Sequence, residues 1–283
     1  MPLKIIECPR DAMQSWKNII PTETKIEYIN QLLKVGFDTI DFGSFVSHQA
    51  IPQMADTKEV VTHLNVESST SKLLAIIANV RGAKDAVAFD NITYLGFPFS
   101  ISPTFQMRNT NSTIEDSLKR VREIKNICDQ KKKELVIYIS MAFGNPYGDE
   151  YNEDLVLKWV EELVKEEIKI ISLSDTVGVA HPPQILSIVK KVISAFPDIE
   201  TGVHLHSTHY EWKQKIDAAL QGGCVRFDGA MKGFGGCPMA EDELVGNMDT
   251  DLMIPYFKKL GLLKNINEEA LLKAGEMASK IFV

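Results

Sequence analysis

Cys237 lies inside a glycine-rich segment, GFGGCPMA at 233–240, which directly follows a strand-like run. Glycines have no side-chain bulk and allow unusual backbone angles, so such a loop can lie close to a ligand or close over one. A cysteine at this position is placed for chemistry. A mobile surface loop that holds an inert thiol is the alternative when the segment is considered alone.

The sequence His204-Leu205-His206 places two imidazoles two residues apart on a predicted strand. Such residues point to the same face, and a divalent cation would stabilise both rings in their neutral form. Asp11 can add a carboxylate, and Asn247 can add a carbonyl oxygen. Nitrogen and oxygen ligands without a thiolate suit Mg²⁺ or Mn²⁺, with Zn²⁺ or Co²⁺ as substitutes. A packed or hydrogen-bonded histidine pair is the alternative interpretation.

Arg10 directly precedes Asp11, so the predicted metal has a permanent cation beside it. The planar guanidinium group can bind a carbonyl or carboxylate oxygen, and next to a metal it would stabilise an enolate. A local salt bridge between the two neighbours is the alternative.

Eight short apolar or β-branched runs alternate with amphipathic stretches along the chain. The runs cover 4–8, 39–43, 73–79, 94–100, 135–142, 168–173, 201–206 and 224–230. Stretches with helical spacing of apolar residues cover 25–35, 113–132, 154–166, 183–196 and 211–221. This alternation predicts parallel strands joined by helices, and eight such units predict an α/β fold of the (β/α)₈ TIM-barrel type. A doubly wound open sheet is the alternative.

The predicted barrel gathers the chemistry-bearing residues at one rim. Barrel enzymes place their chemistry where the strands end and the following loops begin. In chain order, Arg10 and Asp11 follow the first strand, Asp41 ends the second, Asp175 follows the sixth, His204 and His206 end the seventh, and Cys237 follows the eighth.

No linker, low-complexity tract or shift in composition divides the chain of 283 residues. We therefore predict a single catalytic domain over 1–283, with extra C-terminal helices. These helices form a cap over 241–283, on the rim or outer wall of the barrel. A composition of 45% hydrophobic and 24% charged residues is typical of globular proteins and argues against disorder.

A net charge of −7 argues against binding to nucleic acid. No run approaches the roughly 20 apolar residues of a membrane span, and the N-terminal residues lead into a strand rather than a signal sequence. The four cysteines lack CxxC spacing, which predicts reduced thiols. We expect a cytoplasmic protein that binds neither nucleic acid nor membrane.

The chain resembles the 3-hydroxy-3-methylglutaryl-CoA lyases of the DRE-TIM metallolyase superfamily over nearly its whole length. The resemblance rests on PRDAMQ at 9–14, SFVS at 44–47, IPQM at 51–54, ISLSDTVGV at 171–179, HLH at 204–206, GFGGCPMA at 233–240 and GN at 246–247. PRD or HxH alone would be a weak signal, whereas the whole set in this order is highly specific.

The resemblance implies roles for the candidate residues. Four residues would bind the divalent cation: Asp11, His204, His206 and Asn247. Arg10 would stabilise the enolate, Cys237 would act in acid/base catalysis, and Asp175 matches the aspartate of the family's sixth strand. The implied reaction cleaves 3-hydroxy-3-methylglutaryl-CoA into acetyl-CoA and acetoacetate, as in leucine breakdown and ketone-body formation. The implied assembly is a homodimer or a larger homo-oligomer.

The chain departs from the family pattern at three places. Ala12 and Met13 replace the usual Gly-Leu, Asp41 replaces a glutamate, and Ser207 replaces a frequent aspartate. These changes concern pocket shape and substrate preference more than the metal site. A related acyl-CoA condensing enzyme, an aldolase of the same superfamily and a catalytically silent metal-binding barrel are the competing functions.

Overall fold

The computed structural model describes residues 2–236 and 245–282, in which eight parallel strands form a closed barrel. They are β1 (Lys4–Glu7), β2 (Thr39–Phe45), β3 (Lys72–Ile77), β4 (Ile92–Ser100), β5 (Glu134–Ser140), β6 (Ile170–Ser174), β7 (Glu200–His204) and β9 (Arg226–Gly229). The barrel closes because β9 pairs with β1 as well as with β7. The predicted TIM barrel is confirmed, and the open sheet is excluded.

A short antiparallel ribbon stands at the rim where the barrel strands end. It consists of β8 (His206–Ser207) and β10 (Gly246–Asn247), and its register places Asn247 opposite His206. Backbone pairing in the ribbon therefore places two of the predicted metal ligands next to each other.

Helices surround the barrel. They are α1 (Pro9–Gln14), α2 (Thr22–Leu32), α3 (Thr57–Thr62), α4 (Val80–Ala86), α5 (Pro103–Thr110), α6 (Ile114–Gln130), α7 (Glu153–Lys165), α8 (Pro182–Ala195), α9 (Trp212–Gln221), α10 (Thr250–Lys259) and α11 (Glu268–Ile281). The five predicted amphipathic stretches correspond to α2, α6, α7, α8 and α9. At the start of α6, Thr113 accepts a hydrogen bond from the backbone N–H of Asp116, as a capping residue does. None of the helices in the described ranges has the length and apolar character needed to cross a membrane.

The last two helices lie on the outer wall of the barrel. The ring of Phe257 on α10 packs 5.0 Å from that of Phe227, a residue of β9. On α11, the backbone carbonyl of Ala270 accepts a hydrogen bond from Gln31 of α2. The two helices therefore complete the outer layer beside the first helices of the chain.

The barrel contains two apolar cores. The larger one lies between the strands and the helices and includes alternate strand residues such as Ile40, Phe42 and Phe227. The smaller one lies inside the barrel, and we call it the apolar side of the interior: Leu74, Tyr94, Val136, Tyr138 and Ile170.

Another part of the interior is charged, because β2, β7 and β9 carry charged residues at positions that alternate with outward-facing ones. We call these residues the charged side of the interior: Asp41, Glu200, Arg226 and Asp228.

Candidate active site

Asp11 lies in α1, directly after β1 ends, and its side chain is buried at the rim. One carboxylate oxygen accepts a hydrogen bond from Nη1 of Arg10 at 2.6 Å. The other accepts a hydrogen bond from the side-chain amide of Asn247 at 2.8 Å. Asp11 is thus held from both sides of the rim.

His204 ends β7 and His206 begins β8, so the HLH motif crosses from the barrel into the ribbon. The centroids of the two rings are 5.3 Å apart. Leu205, between them, is buried in the outer core. One ligand atom from each of His204, His206 and Asp11 lies within 4.8 Å of the others. The structure therefore brings three of the four predicted ligands into one group.

Asn247 completes this group. Its amide nitrogen donates to Asp11 and also to the backbone carbonyl of Phe234, so the amide oxygen is the atom that a ligand could use. That oxygen and Nε2 of His206 are both buried and have no hydrogen-bond partner among the described residues. Two buried acceptors without donors, beside a carboxylate, fit a divalent cation, and nitrogen and oxygen ligands suit Mg²⁺ or Mn²⁺.

A second group shares His204 but is less suited to metal. Its members are Cys8, His204 and Asp228, whose ligand atoms also lie within 4.8 Å of one another. Burial raises the pKa of the Cys8 thiol well above its usual value, so the thiolate that binds metals is disfavoured. The group at the rim is therefore the better candidate.

The surroundings of the rim favour the metal-binding forms of Asp11 and His206. Burial acts to raise the pKa of Asp11, but the charge of Arg10, followed by the two nearby histidines and the Asn247 hydrogen bond, outweighs it and lowers that pKa to about 2. Burial, assisted by the neighbouring His204, lowers the pKa of His206 to about 4. At neutral pH the carboxylate is ionised and this imidazole is neutral, as metal binding requires.

Arg10 is fixed between two carboxylates. Its Nε and Nη2 donate to Asp41, with Nε 3.0 Å from the nearer carboxylate oxygen, while Nη1 donates to Asp11. Burial acts to lower the pKa of Arg10, but the charges of both aspartates raise it above its usual value. Two of the five N–H groups of the guanidinium remain for a ligand.

Asp41 lies in the middle of β2, so the prediction that it ends the strand is wrong. An irregularity in the pairing with β3 between Asp41 and Gly43 lets the strand continue to Phe45. The hydrogen bonds of the carboxylate go to Arg10. Burial raises the pKa of Asp41 to about 6, against the effect of Arg10, so the pair is ionic at neutral pH. Asp41 therefore orients the guanidinium group of Arg10.

Asp175 follows β6 and is buried. Its carboxylate accepts a hydrogen bond from the backbone N–H of Ala180 and pairs with Lys215 of α9 at 3.3 Å. Lys215 also donates to the backbone carbonyl of His206 at 2.7 Å. These contacts link Asp175 to the metal group through Lys215 rather than directly.

Cys237 lies outside the described residues, but the glycines that precede it are described. A Cβ atom on Gly235 would lie 2.8 Å from both the Asn247 amide nitrogen and the Asp11 carbonyl oxygen. It would also lie 2.9 Å from Cα of Ala12. With a φ of +92°, this position is restricted to glycine by its conformation and by its surroundings. The glycine-rich segment therefore begins directly on the candidate ligands.

Sequence reasoning missed Asp228, Arg226 and Lys215. The first two stand two residues apart in the eighth strand of a sheet that is buried on both faces, which indicates inward-facing charges. That signal was available. Lys215 lies within the helical pattern of α9, and nothing in the pattern distinguishes it from a solvent-facing lysine.

The chain is similar to known proteins over nearly its whole length. The HMGL-like family matches residues 3–278. The chain is 32% identical over 279 residues to the cytoplasmic 3-hydroxy-3-methylglutaryl-CoA lyase of Rattus norvegicus, covering 98% of this chain and 80% of that protein. The mitochondrial hydroxymethylglutaryl-CoA lyase of Arabidopsis thaliana is also 32% identical over 98% of this chain, which spans 59% of that protein's length.

Solved structures give a similar result. An HMG-CoA lyase from Acinetobacter baumannii, in complex with coenzyme A and 3-methylmalate, matches with a TM-score of 0.91 at 32% identity. The match covers 99% of this chain and 91% of that one. The Bacillus subtilis HMG-CoA lyase matches with a TM-score of 0.92 at 29% identity, over 99% of this chain and 95% of that one.

Proposed function

This chain belongs to the HMGL-like family, and on that premise we propose that it is a metal-dependent carbon–carbon lyase that cleaves 3-hydroxy-3-methylglutaryl-CoA into acetyl-CoA and acetoacetate. One observation carries the proposal. Asp11, His204 and His206 converge with the amide oxygen of Asn247 at the rim, beside the fixed cation of Arg10.

The reaction breaks the bond between a tertiary alcohol carbon and the carbon next to a thioester. A base removes the hydroxyl proton, and the oxygen forms the ketone carbonyl of acetoacetate as the carbon–carbon bond breaks. The electrons of that bond form the thioester enolate, which an acid then protonates to give acetyl-CoA. Asp11, His204, His206 and Asn247 would hold a divalent cation, and the chemistry supplied by that cation would be to polarise the substrate oxygens and make the hydroxyl more acidic.

Arg10 is the group that would stabilise the developing enolate. Its guanidinium is oriented by Asp41 and Asp11 before the substrate arrives, so little reorganisation is needed when negative charge forms on the thioester oxygen. Asp41 contributes through Arg10 in this scheme. Asp175 remains a catalytic candidate through the family resemblance, and its position directly after β6 supports this role.

Cys237 is proposed as the acid that protonates the enolate carbon, giving acetyl-CoA. Support comes from its place two residues after Gly235, which packs on Asn247 and Asp11. Cys237→Ser should keep the fold and the bound metal and lose at least about a hundredfold in kcat. Cys128→Ser, a buried thiol on α6, is the matched control. An unchanged rate in Cys237→Ser would remove this cysteine from the mechanism.

The direct test is turnover by the purified protein. Incubation with Mg²⁺ or Mn²⁺ and a panel of 3-hydroxyacyl thioesters, followed by mass analysis, should yield acetyl-CoA and acetoacetate from the 3-hydroxy-3-methylglutaryl thioester. A chelator should abolish the reaction, and added Mn²⁺ should restore it. His204→Ala should weaken metal binding, whereas His181→Ala, at the N-terminus of α8, should not. Full turnover in the chelated protein would contradict the assignment.

The same assay separates the competing functions. A condensing enzyme would consume acetyl-CoA with an oxo-acid, and a silent barrel would bind Mn²⁺ without turnover. We also propose one catalytic domain over 1–283, a homodimer or larger homo-oligomer, and a cytoplasmic location. Support for the location is divided, because the similar proteins include one named cytoplasmic and one named mitochondrial.

A further inference from the structure

Asp228 lies directly behind His204 on the charged side of the interior. Its carboxylate oxygen Oδ2 is 3.2 Å from Nδ1 of His204. The pairing of β7 with β9 joins Val203 to Phe227, so the next residue on each strand is His204 and Asp228 respectively. The contact is therefore built into the register of the barrel.

This contact determines which nitrogen of His204 carries the proton. A carboxylate only accepts hydrogen bonds, so Nδ1 must donate, and the neutral ring then keeps the lone pair of Nε2 free. A hydrogen bond from a carboxylate to a metal-binding histidine also fixes the orientation of the ring and increases its basicity. Nε2 is thereby left as the ligand atom for the rim group.

The burial of Asp228 needs an explanation of this kind. The side chain is fully buried, and its second oxygen, Oδ1, has no hydrogen-bond partner among residues 2–236 and 245–282. Burying a carboxylate with an unpartnered oxygen is costly, and the nearby charge of the buried Arg226 offsets only part of that cost. Of the two carboxylate oxygens, the one with a partner contacts His204.

The neighbouring charges on the same side serve as a comparison. Arg226, two residues before Asp228, donates to Glu200, and Glu200 also pairs with Lys4 at 2.6 Å. The hydrogen bonds of Glu200 go to these two cations and to none of the candidate ligands. Glu200 is thus a carboxylate of the same interior without a contact to the metal group.

We propose that Asp228 is a positioning residue that holds His204 in the Nδ1-protonated tautomer and in the orientation required for metal binding. The inference rests on the metal site of the proposed function. It adds a residue that touches neither metal nor substrate and acts through His204.

Two measurements on the purified full chain test this. The first is the tautomer of His204 in the metal-free protein, from ¹⁵N NMR of histidine-labelled protein, assigned by the signal lost in His204→Gln. The parent should carry the proton on Nδ1. In Asp228→Asn the amide can present either its oxygen or its nitrogen to the ring, so the Nδ1-protonated form should no longer predominate.

The second measurement is the Kd for Mn²⁺, by calorimetry or electron paramagnetic resonance. Asp228→Asn should raise it about 10- to 100-fold, while Glu200→Gln should leave it near the parent value. Circular dichroism and thermal unfolding identify any variant that does not fold.

The outcomes separate this inference from the proposed function. A parent His204 protonated on Nε2 would overturn the inference without any variant. Equal weakening by Asp228→Asn and Glu200→Gln would also overturn it, because a general loss of charge would then explain the effect. If the parent binds no Mn²⁺, the proposed function fails, and the tautomer in the metal-free protein still decides the role of Asp228.

Discussion

The two sides of the barrel interior have the same strand geometry and opposite chemistry. On the apolar side, Leu74, Val136 and Ile170 pack together in one buried cluster. On the charged side, Asp41 holds Arg10 and Asp228 holds His204. The sides meet at Tyr138, whose ring lies edge-on to that of His204 at 6.0 Å.

This difference indicates how the molecule separates stability from chemistry. Burying an apolar side chain stabilises a fold by about 1.5 to 3 kcal/mol, whereas a buried ion pair often stabilises it little, because desolvation offsets the attraction. Charges inside a barrel are therefore poorly explained by stability. Contacts to two rim residues, Arg10 and His204, explain Asp41 and Asp228. Substitutions on the charged side should affect activity first, and those on the apolar side should affect folding first.

The largest effect is expected for Arg10→Gln. Losing a preorganised cation aimed at developing charge costs roughly 10² to 10³ in rate, or about 3 to 4 kcal/mol. The kcat should fall far more than KM rises. Thermal unfolding should also occur at a lower temperature, because the buried carboxylates of Asp11 and Asp41 lose their cationic partner. Arg122→Gln, which removes an exposed partner of Glu166, is the matched control and should be silent. A near-normal kcat in Arg10→Gln would make the contact with Asp11 an ordinary salt bridge.

On the apolar side, Leu74→Ala should reduce the free energy of unfolding by about 2 to 5 kcal/mol, because it leaves a cavity in a fully buried cluster. The Kd for Mn²⁺ of the folded protein should remain at the parent value. Urea unfolding and calorimetry measure the two quantities. Leu272→Ala, at an exposed position of α11, should leave both unchanged. Weaker Mn²⁺ binding in Leu74→Ala would show that the two sides are coupled.

Periodicity made the barrel predictable from sequence, whereas the connections within the site depend on register. The eight strands and the five amphipathic helices follow from spacing that the chain carries locally. That Asp228 meets His204 depends on how β7 and β9 pair, which no local pattern contains. The position of Asp41 was misjudged for a related reason, since the irregularity after it appears only in the pairing with β3.

A smaller effect is expected for Glu7, a buried carboxyl group that hydrogen-bonds to neither Arg10 nor His204. Glu7 accepts hydrogen bonds from the backbone N–H of Met231 and from the Thr250 hydroxyl, and burial raises its pKa from the usual 4.5 to about 8. The stability that its neutral form contributes is fully present below pH 4.5 and is lost as the pH rises towards 8.

Glu7→Gln is neutral at every pH. The melting temperature of this variant, relative to that of the parent, should therefore rise between pH 5 and pH 8. Thermal unfolding of both proteins across this range measures the difference. A difference that stays constant with pH would show that Glu7 does not change its protonation state in this window.

The smallest effect is expected for Asp41→Glu, which restores the longer carboxylate of the family pattern. If Asp41 acts only through Arg10, the variant should fold, bind Mn²⁺ as the parent does and change kcat modestly. Asp41→Ala should lower kcat more and still leave the Kd for Mn²⁺ unchanged. Loss of Mn²⁺ binding in Asp41→Ala would instead identify this carboxylate as a ligand.

The described residues on the two sides of 237–244 approach each other beside the ribbon. A Cβ atom on Gly236 would lie 2.6 Å from the carbonyl oxygen of Val245, and one on Gly246 would lie 2.5 Å from that of Gly233. These close approaches hold Gly236 and Val245 beside the ribbon that carries His206 and Asn247. A chimera that exchanges 237–244 between relatives would therefore show whether Mn²⁺ binding, which the proposed ligands outside that segment would supply, is inherited separately from the activity proposed for Cys237.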